Sequence, residues 1–217
     1  MGPRTPPREA FTATELRTID ALRTPRQVQR FLRAFPYNWE KTIRTFRGVV
    51  GSGRAHCLEA VLFAATVLEQ HGYPALALDL ESQDGLDHVL FIYQENGRWG
   101  TVARSRDEGL HGRKPVFTMV RALVDSYMDP YVDGDGRIVG YGVAHLDELT
   151  RMNWRLGSTN AWSVEEALRV WPHQKIHMGE ARYQRRLRLF MAMRGDNPTL
   201  TPQQWRRLTG KQTANWL

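Results

Sequence analysis

Cys57 is the only cysteine among 217 residues, and it stands in Arg54-Ala55-His56-Cys57-Leu58-Glu59 at the head of the most apolar helical stretch of the chain. A lone thiol closes no intramolecular disulfide, so it serves either as buried packing or as a reactive group. A helix N-terminus stabilises a thiolate, and the thiolate is the nucleophile. Such a nucleophile needs a base, and the base needs an orienting group. His56 is adjacent in sequence, and neighbouring helical residues do not face each other, which makes it a poor partner. His71 falls near the far end of the same helix, out of reach. His88 lies inside the apolar run Asp87-His88-Val89-Leu90-Phe91-Ile92-Tyr93, 31 positions after Cys57. That is enough chain for a helix, a turn, a strand and a return, so His88 is the expected base.

The elements that must position these groups follow from periodicity. Leu16, Ile19 and Leu22 recur at helical spacing over Thr14 to Arg23. Pro25 opens a second helix with Val28, Phe31, Leu32 and Phe35 on one face. Tyr37 to Phe46 is a short aromatic segment, and Gly48 to Gly53 reads as a loop. Cys57 to Gln70 is helical and apolar on nearly all sides, hence central and buried, with Gly72 as its left-handed cap. Strands are expected at Leu76 to Leu80, Asp87 to Tyr93, Trp99 to Ser105 and Arg137 to Val143. A helix is expected at Pro115 to Tyr127. The C-terminal part reads as helical: a capping box at Ser163 and Glu166, an arginine-rich amphipathic helix from Glu180 to Met193, and a further box at Thr201 to Gln204.

Asn96-Gly97 is a hairpin signal, because both residues tolerate positive φ. A two-residue loop there pairs Glu95 with Arg98 and Tyr93 with Gly100. Continued down the ladder, that register sets Ser105 opposite His88 on the same sheet face, with Asp107 next along and Ala103 on the other side. Ser105 or Asp107 is therefore the expected orienting group.

This Cys–His pattern resembles the transglutaminase-like superfamily, relatives of papain-type cysteine enzymes, and most closely its small bacterial members of unassigned activity. The resemblance rests on Arg54-Ala55-His56-Cys57-Leu58-Glu59-Ala60, Gly72-Tyr73-Pro74-Ala75, Asp87-His88-Val89 and Gly97-Arg98-Trp99, within Tyr37 to Arg113. It implies a papain-like core, Cys57 as nucleophile and His88 as base. It also implies an oxyanion site from the Cys57 backbone N–H and an upstream side chain, for which Asn38 and Trp39 are candidates. The family's aspartate, four residues after the tryptophan of the third strand, is replaced here by Ala103.

The chain is therefore expected to be α+β. It divides into a disordered lead (1–10), a transglutaminase-like domain with N-terminal helices (11–150) and a helical, basic C-terminal extension (151–217). The implied chemistry is attack on amide or peptide carbonyls of a peptide or protein substrate, ending in hydrolysis, deamidation or transamidation, with no cofactor. A catalytically degenerate scaffold is the alternative. The net charge of +7 also admits nucleic acid or an acidic partner at Arg182, Arg185, Arg186, Arg188, Arg194, Arg206, Arg207 and Lys211. Asp129, Asp133 and Asp135 do not fit a calcium loop, since Gly140 stands where its final glutamate belongs. His173 and His177 lack further ligands for a metal. No apolar stretch approaches a membrane span or a signal core, so a soluble, cytoplasmic protein is expected.

Overall fold

In the computed structural model, which describes residues 5–217, the centre of the molecule is the Cys57-bearing helix. In chain order the elements are α1 (Ala13–Ala21), α2 (Pro25–Ala34), α3 (Phe46–Ser52), α4 (Cys57–Glu69), β1 (Leu76–Ser82), β2 (His88–Glu95), β3 (Arg98–Val102), β4 (Arg113–Phe117), α5 (Val120–Met128), β5 (Ile138–His145), α6 (Leu146–Leu149), α7 (Trp162–Val170), β6 (Gln174–Lys175), α8 (Glu180–Arg194) and α9 (Pro202–Thr209). Every residue of α4 from Leu58 to Leu68 is buried, as expected for a helix apolar all round. The fold is α+β. Six antiparallel strands run in the order β4-β3-β2-β1-β5-β6.

Alternation along the central strands gives the sheet two cores. Ala77, Val89 and Phe91 join the cluster around α4, together with Val28 and Leu32 of α2. Leu78, Leu80, Leu90 and Ile92 face the other way, against Leu123, Val124 and Tyr127 of α5. The β2–β3 hairpin turns at Asn96 (φ 50°) and Gly97 (φ 70°) and pairs Glu95 with Arg98 and Tyr93 with Gly100, the expected register.

Several expectations need correction. Gly48 to Gly53 is largely helix α3, capped by the Thr45 hydroxyl; burial of Phe46 and Val49 outweighs the glycine cost. Pro115 belongs to edge strand β4, where a missing N–H is tolerated, and the helix begins only at Val120. Ser163 caps nothing: α7 starts at Trp162, and the Ser163 hydroxyl bonds that of Thr150 at 2.8 Å. The box at Thr201 and Gln204 is present. Of the expected disordered lead, residues 1–4 lie outside the described residues. Arg8–Ala10 form a 3-10 turn, and the Pro6 carbonyl accepts from Gln70 Nε2 at 2.9 Å.

The chain after residue 150 contributes to the main core. Trp154 is fully buried beside α4, and Arg155, 1 % exposed, bonds both Glu69 and Asp147. β6 extends the sheet. Some of the C-terminal arginines are engaged, Arg182 and Arg186 with Asp129 and Arg206 with Glu108. Among the described residues no helix is long and apolar enough to cross a membrane.

β3 ends early for a specific reason. Gln29 of α2, 1 % exposed, accepts from Ala103 N–H at 2.9 Å and donates to the Ala103 carbonyl at 2.9 Å. The same amide oxygen accepts from Gly112 N–H at 3.0 Å. One side chain thus closes the loop between Ala103 and Gly112. Gln29→Ala leaves both N–H groups without their acceptor and is expected to cost about 1–3 kcal/mol, read as a lower urea midpoint.

Candidate active site

The site begins with the way the chain enters α4. His56 caps that helix in an extended conformation (φ −96°, ψ −173°), so its side chain does not follow the helical direction. Its Nε2 lies 2.6 Å from the Thr42 carbonyl, to which it donates, and its ring is close enough to Cys57 for each group to shift the other's titration. The expectation that adjacency excludes His56 is therefore corrected: the rule holds between two helical residues, and His56 lies outside the helix.

Cys57 is half-buried at the first helical position, where its own N–H has no intrahelical acceptor. Burial alone would push the thiol up. Hydrogen bonds from His56 and His88, with their charges, outweigh burial and bring it down to about 5. For His56, burial favours the neutral ring. The hydrogen bond and charge of Cys57, the charge of Glu59 and the Thr42 carbonyl prevail and raise it to about 9. At neutral pH the pair is thiolate and imidazolium.

His88, 5 % exposed, opens β2. Its Nε2 is 2.9 Å from the Leu110 carbonyl, to which it donates, and Nδ1 is the nitrogen left for Cys57. The orienting group is thus a backbone carbonyl. Ser105 and Asp107 are brought into the same small cleft as Cys57 and His88, a space of about 170 Å³, but their polar atoms are used elsewhere. The Ser105 hydroxyl accepts from Asp107 N–H at 3.1 Å. The Asp107 carboxylate takes Arg106 at 3.2 Å and the Thr199 hydroxyl. The extrapolated ladder fails because Gln29 captures Ala103 and the strand ends at Val102. A 3-10 turn at Glu108–Leu110 then presents the Leu110 carbonyl. A carbonyl has no signature in residue type.

The oxyanion candidates also change. Asn38 donates through Nδ2 to Thr42 Oγ1 at 2.8 Å and Glu59 Oε2 at 2.9 Å, which uses both protons. Trp39 is 74 % exposed and packs edge-on against Tyr37. Tyr37, named in the sequence only as part of an aromatic segment, lines both clefts beside Cys57. It is held there by a parallel bridge to Ala55. Burial and the Cys57 charge push its phenol up, so it stays a donor.

Glu59 is the organiser that composition could not reveal. It is fully buried and accepts from Asn38 Nδ2, Thr42 Oγ1 at 2.8 Å, Arg44 N–H at 2.9 Å and His56 N–H at 3.1 Å. These contacts fix the 38–44 loop that walls the larger cleft, about 420 Å³, between α4, β1, the β1–β2 turn and α7. Asp79 lies in that cleft's lining. Among the described residues no cluster of three or more His, Cys, Asp or Glu side chains could hold a metal ion.

The chain matches no family model, and no curated protein matches it in sequence.

The thiolate has measurable consequences. Because its folded pKa lies below that of an unfolded thiol, about 8.5, Cys57 contributes stability that is present above that value and lost as pH falls through about 5. His56 runs oppositely, stabilising fully below its unfolded value of about 6.5 and losing that contribution as pH rises through about 9. The iodoacetamide rate at Cys57 is expected to rise with a midpoint near 5 and stay level above it. In His56→Ala the midpoint should move several units upward. A midpoint near 8.5 in the unaltered protein would contradict this account.

Proposed function

We propose that the chain is a cysteine-dependent acyl-transfer enzyme with a transglutaminase-like, papain-related core, acting on amide or peptide carbonyls. One observation carries this reading. The Cys57 sulfur stands at the N-terminus of a buried helix, between two clefts and under the influence of two histidines, His56 and His88, which bring its thiol down to about 5.

The chemistry follows from the geometry. The Cys57 thiolate attacks the carbonyl carbon, a C–S bond forms, and the π electrons move to oxygen. The Cys57 N–H and the Tyr37 phenol, both in the cleft lining, are the donors this reading assigns to that oxyanion. As the tetrahedral species collapses, the C–N bond breaks and the amine leaves with a proton from Nδ1 of His88, which enters the step as imidazolium and leaves it neutral. Water, or a second amine, then attacks the thioester and returns a proton to the same nitrogen, and the C–S bond breaks with its electron pair going back to the Cys57 sulfur. His56 remains imidazolium and holds the thiolate between turnovers.

A second reading is favoured by one feature. His88 is held by a carbonyl rather than a carboxylate, and Ala103 stands where the resembled family has its acid. A scaffold that has lost turnover would show this too.

An activated ester separates the two readings. With p-nitrophenyl acetate the enzyme reading expects a burst of about one equivalent of nitrophenol per chain, then slower turnover. Cys57→Ser abolishes the burst, and His88→Ala lowers the rate by about 10²- to 10⁴-fold. Linear release, unchanged in Cys57→Ser, would leave only the scaffold.

A further inference from the structure

A second polar pair lies beside the Cys57 cleft, and the chemistry above does not use it. Asp79, in β1, is 1 % exposed. Its Oδ2 is 3.1 Å from His173 Nε2. Its Oδ1 is buried and has no hydrogen-bond partner among the described residues. Native structures hold few such atoms, because leaving one unsatisfied is costly.

The sheet aims this carboxylate toward the site. Asp79 pairs directly with Val89 of β2, so the two side chains leave the same face. That face packs on α4, and both residues line the larger cleft with Cys57 and His56. On the other side, Asp79 is opposite Gly142 of β5. A Cβ at Gly142 would come within 2.9 Å of the Pro172 carbonyl oxygen and 3.0 Å of the Trp171 ring. The missing side chain lets the Trp171–His173 segment lie across β5 and bring His173 to Asp79. The arrangement fixes one carboxylate oxygen and leaves the other open to a ligand.

An ionised carboxylate oxygen only accepts hydrogen bonds. Burial pushes the Asp79 carboxyl up, and although His173 draws it down, the charges of Asp87 and Cys57 help leave it above its ordinary value. A cation at Oδ1 would satisfy the oxygen and offset those neighbouring charges.

We propose that Asp79 is a specificity residue of the Cys57 cleft, its Oδ1 taking a cationic N–H group of the substrate, an ammonium or a guanidinium. His173 is its positioning residue. The proposal rests on the reading of Cys57 as the nucleophile of this cleft.

Chloroacetamidine and chloroacetamide test it without knowledge of the substrate. They are near-isosteric, one cationic and one neutral, and each alkylates a thiolate with loss of chloride. The amidine-to-amide rate ratio at Cys57 should exceed that of N-acetylcysteine amide by about tenfold or more. Asp79→Asn should return it to the free-thiol ratio. Taking the ratio within one variant cancels general damage to the fold. In the unaltered chain, n-butylguanidinium should protect Cys57 from chloroacetamide better than n-butyramide does. A ratio unaffected by Asp79→Asn, or equal protection by cation and amide, overturns the proposal while leaving Cys57 a nucleophile. A Cys57 that reacts no faster than a free thiol with either agent brings down the catalytic reading, and this proposal with it.

Discussion

The site depends on a buried carboxylate in the first turn of its central helix. Glu59 has no exposed surface, yet it is ringed by donors from Asn38, Thr42, Arg44 and His56. A buried charge is tolerable only when its lone pairs are filled, and here four hydrogen bonds fill them. The same bonds have a geometric effect. They tie the loop wall to α4 and hold His56 extended at the cap, which turns its ring onto the thiol. Without that tie, His56 would be an ordinary neighbour of Cys57.

The second histidine is placed by a longer route. α2 packs on α4, and from α2 Gln29 reaches Ala103 and Gly112. The segment between them is closed into a loop whose 3-10 turn offers the Leu110 carbonyl to His88. Sequence-distant parts therefore converge on one ring: a helix before Cys57, the strand that carries the histidine, and the turn beyond the hairpin. Each link is a satisfied backbone or amide group, so the ring's orientation follows from the packing of the domain.

What could be read from the sequence was what depends on local chemistry. The Asn96-Gly97 turn was legible because positive φ is a property of those two residues, and the register followed from it. The burial of α4 was legible because its apolar residues leave no polar face. Legibility ended where a distant group intervenes. Nothing within the strand from Trp99 onward indicates that Gln29 will take the Ala103 backbone, so Ser105 was carried past the point where the ladder stops. His56 was misjudged by applying helical geometry to a residue one position outside the helix. Gly48 to Gly53 and Pro115 were misjudged because burial and an edge position outweigh propensity. The Leu110 carbonyl was beyond reach, since every residue has one.

On the proposed chemistry, the two histidines divide between them what one imidazole and one acid do in a Cys–His–acid triad. An arginine beside the sulfur would hold a thiolate but could not carry a proton, because it does not deprotonate in proteins. A histidine clamped by a carboxylate holds charge well. His56, with Glu59 close by and the Thr42 carbonyl on Nε2, has that character, and its charge persists to about 9. His88 meets a neutral carbonyl instead, which fixes the orientation of its ring without adding a formal negative charge. On the proposed chemistry, His56 keeps the nucleophile ionised and His88 exchanges the proton. A carboxylate at residue 103 would then add a second charge to the one that Glu59 already supplies beside His56. Read this way, alanine at that position is compatible with turnover, because the electrostatic half of the acid's role has moved to the helix cap.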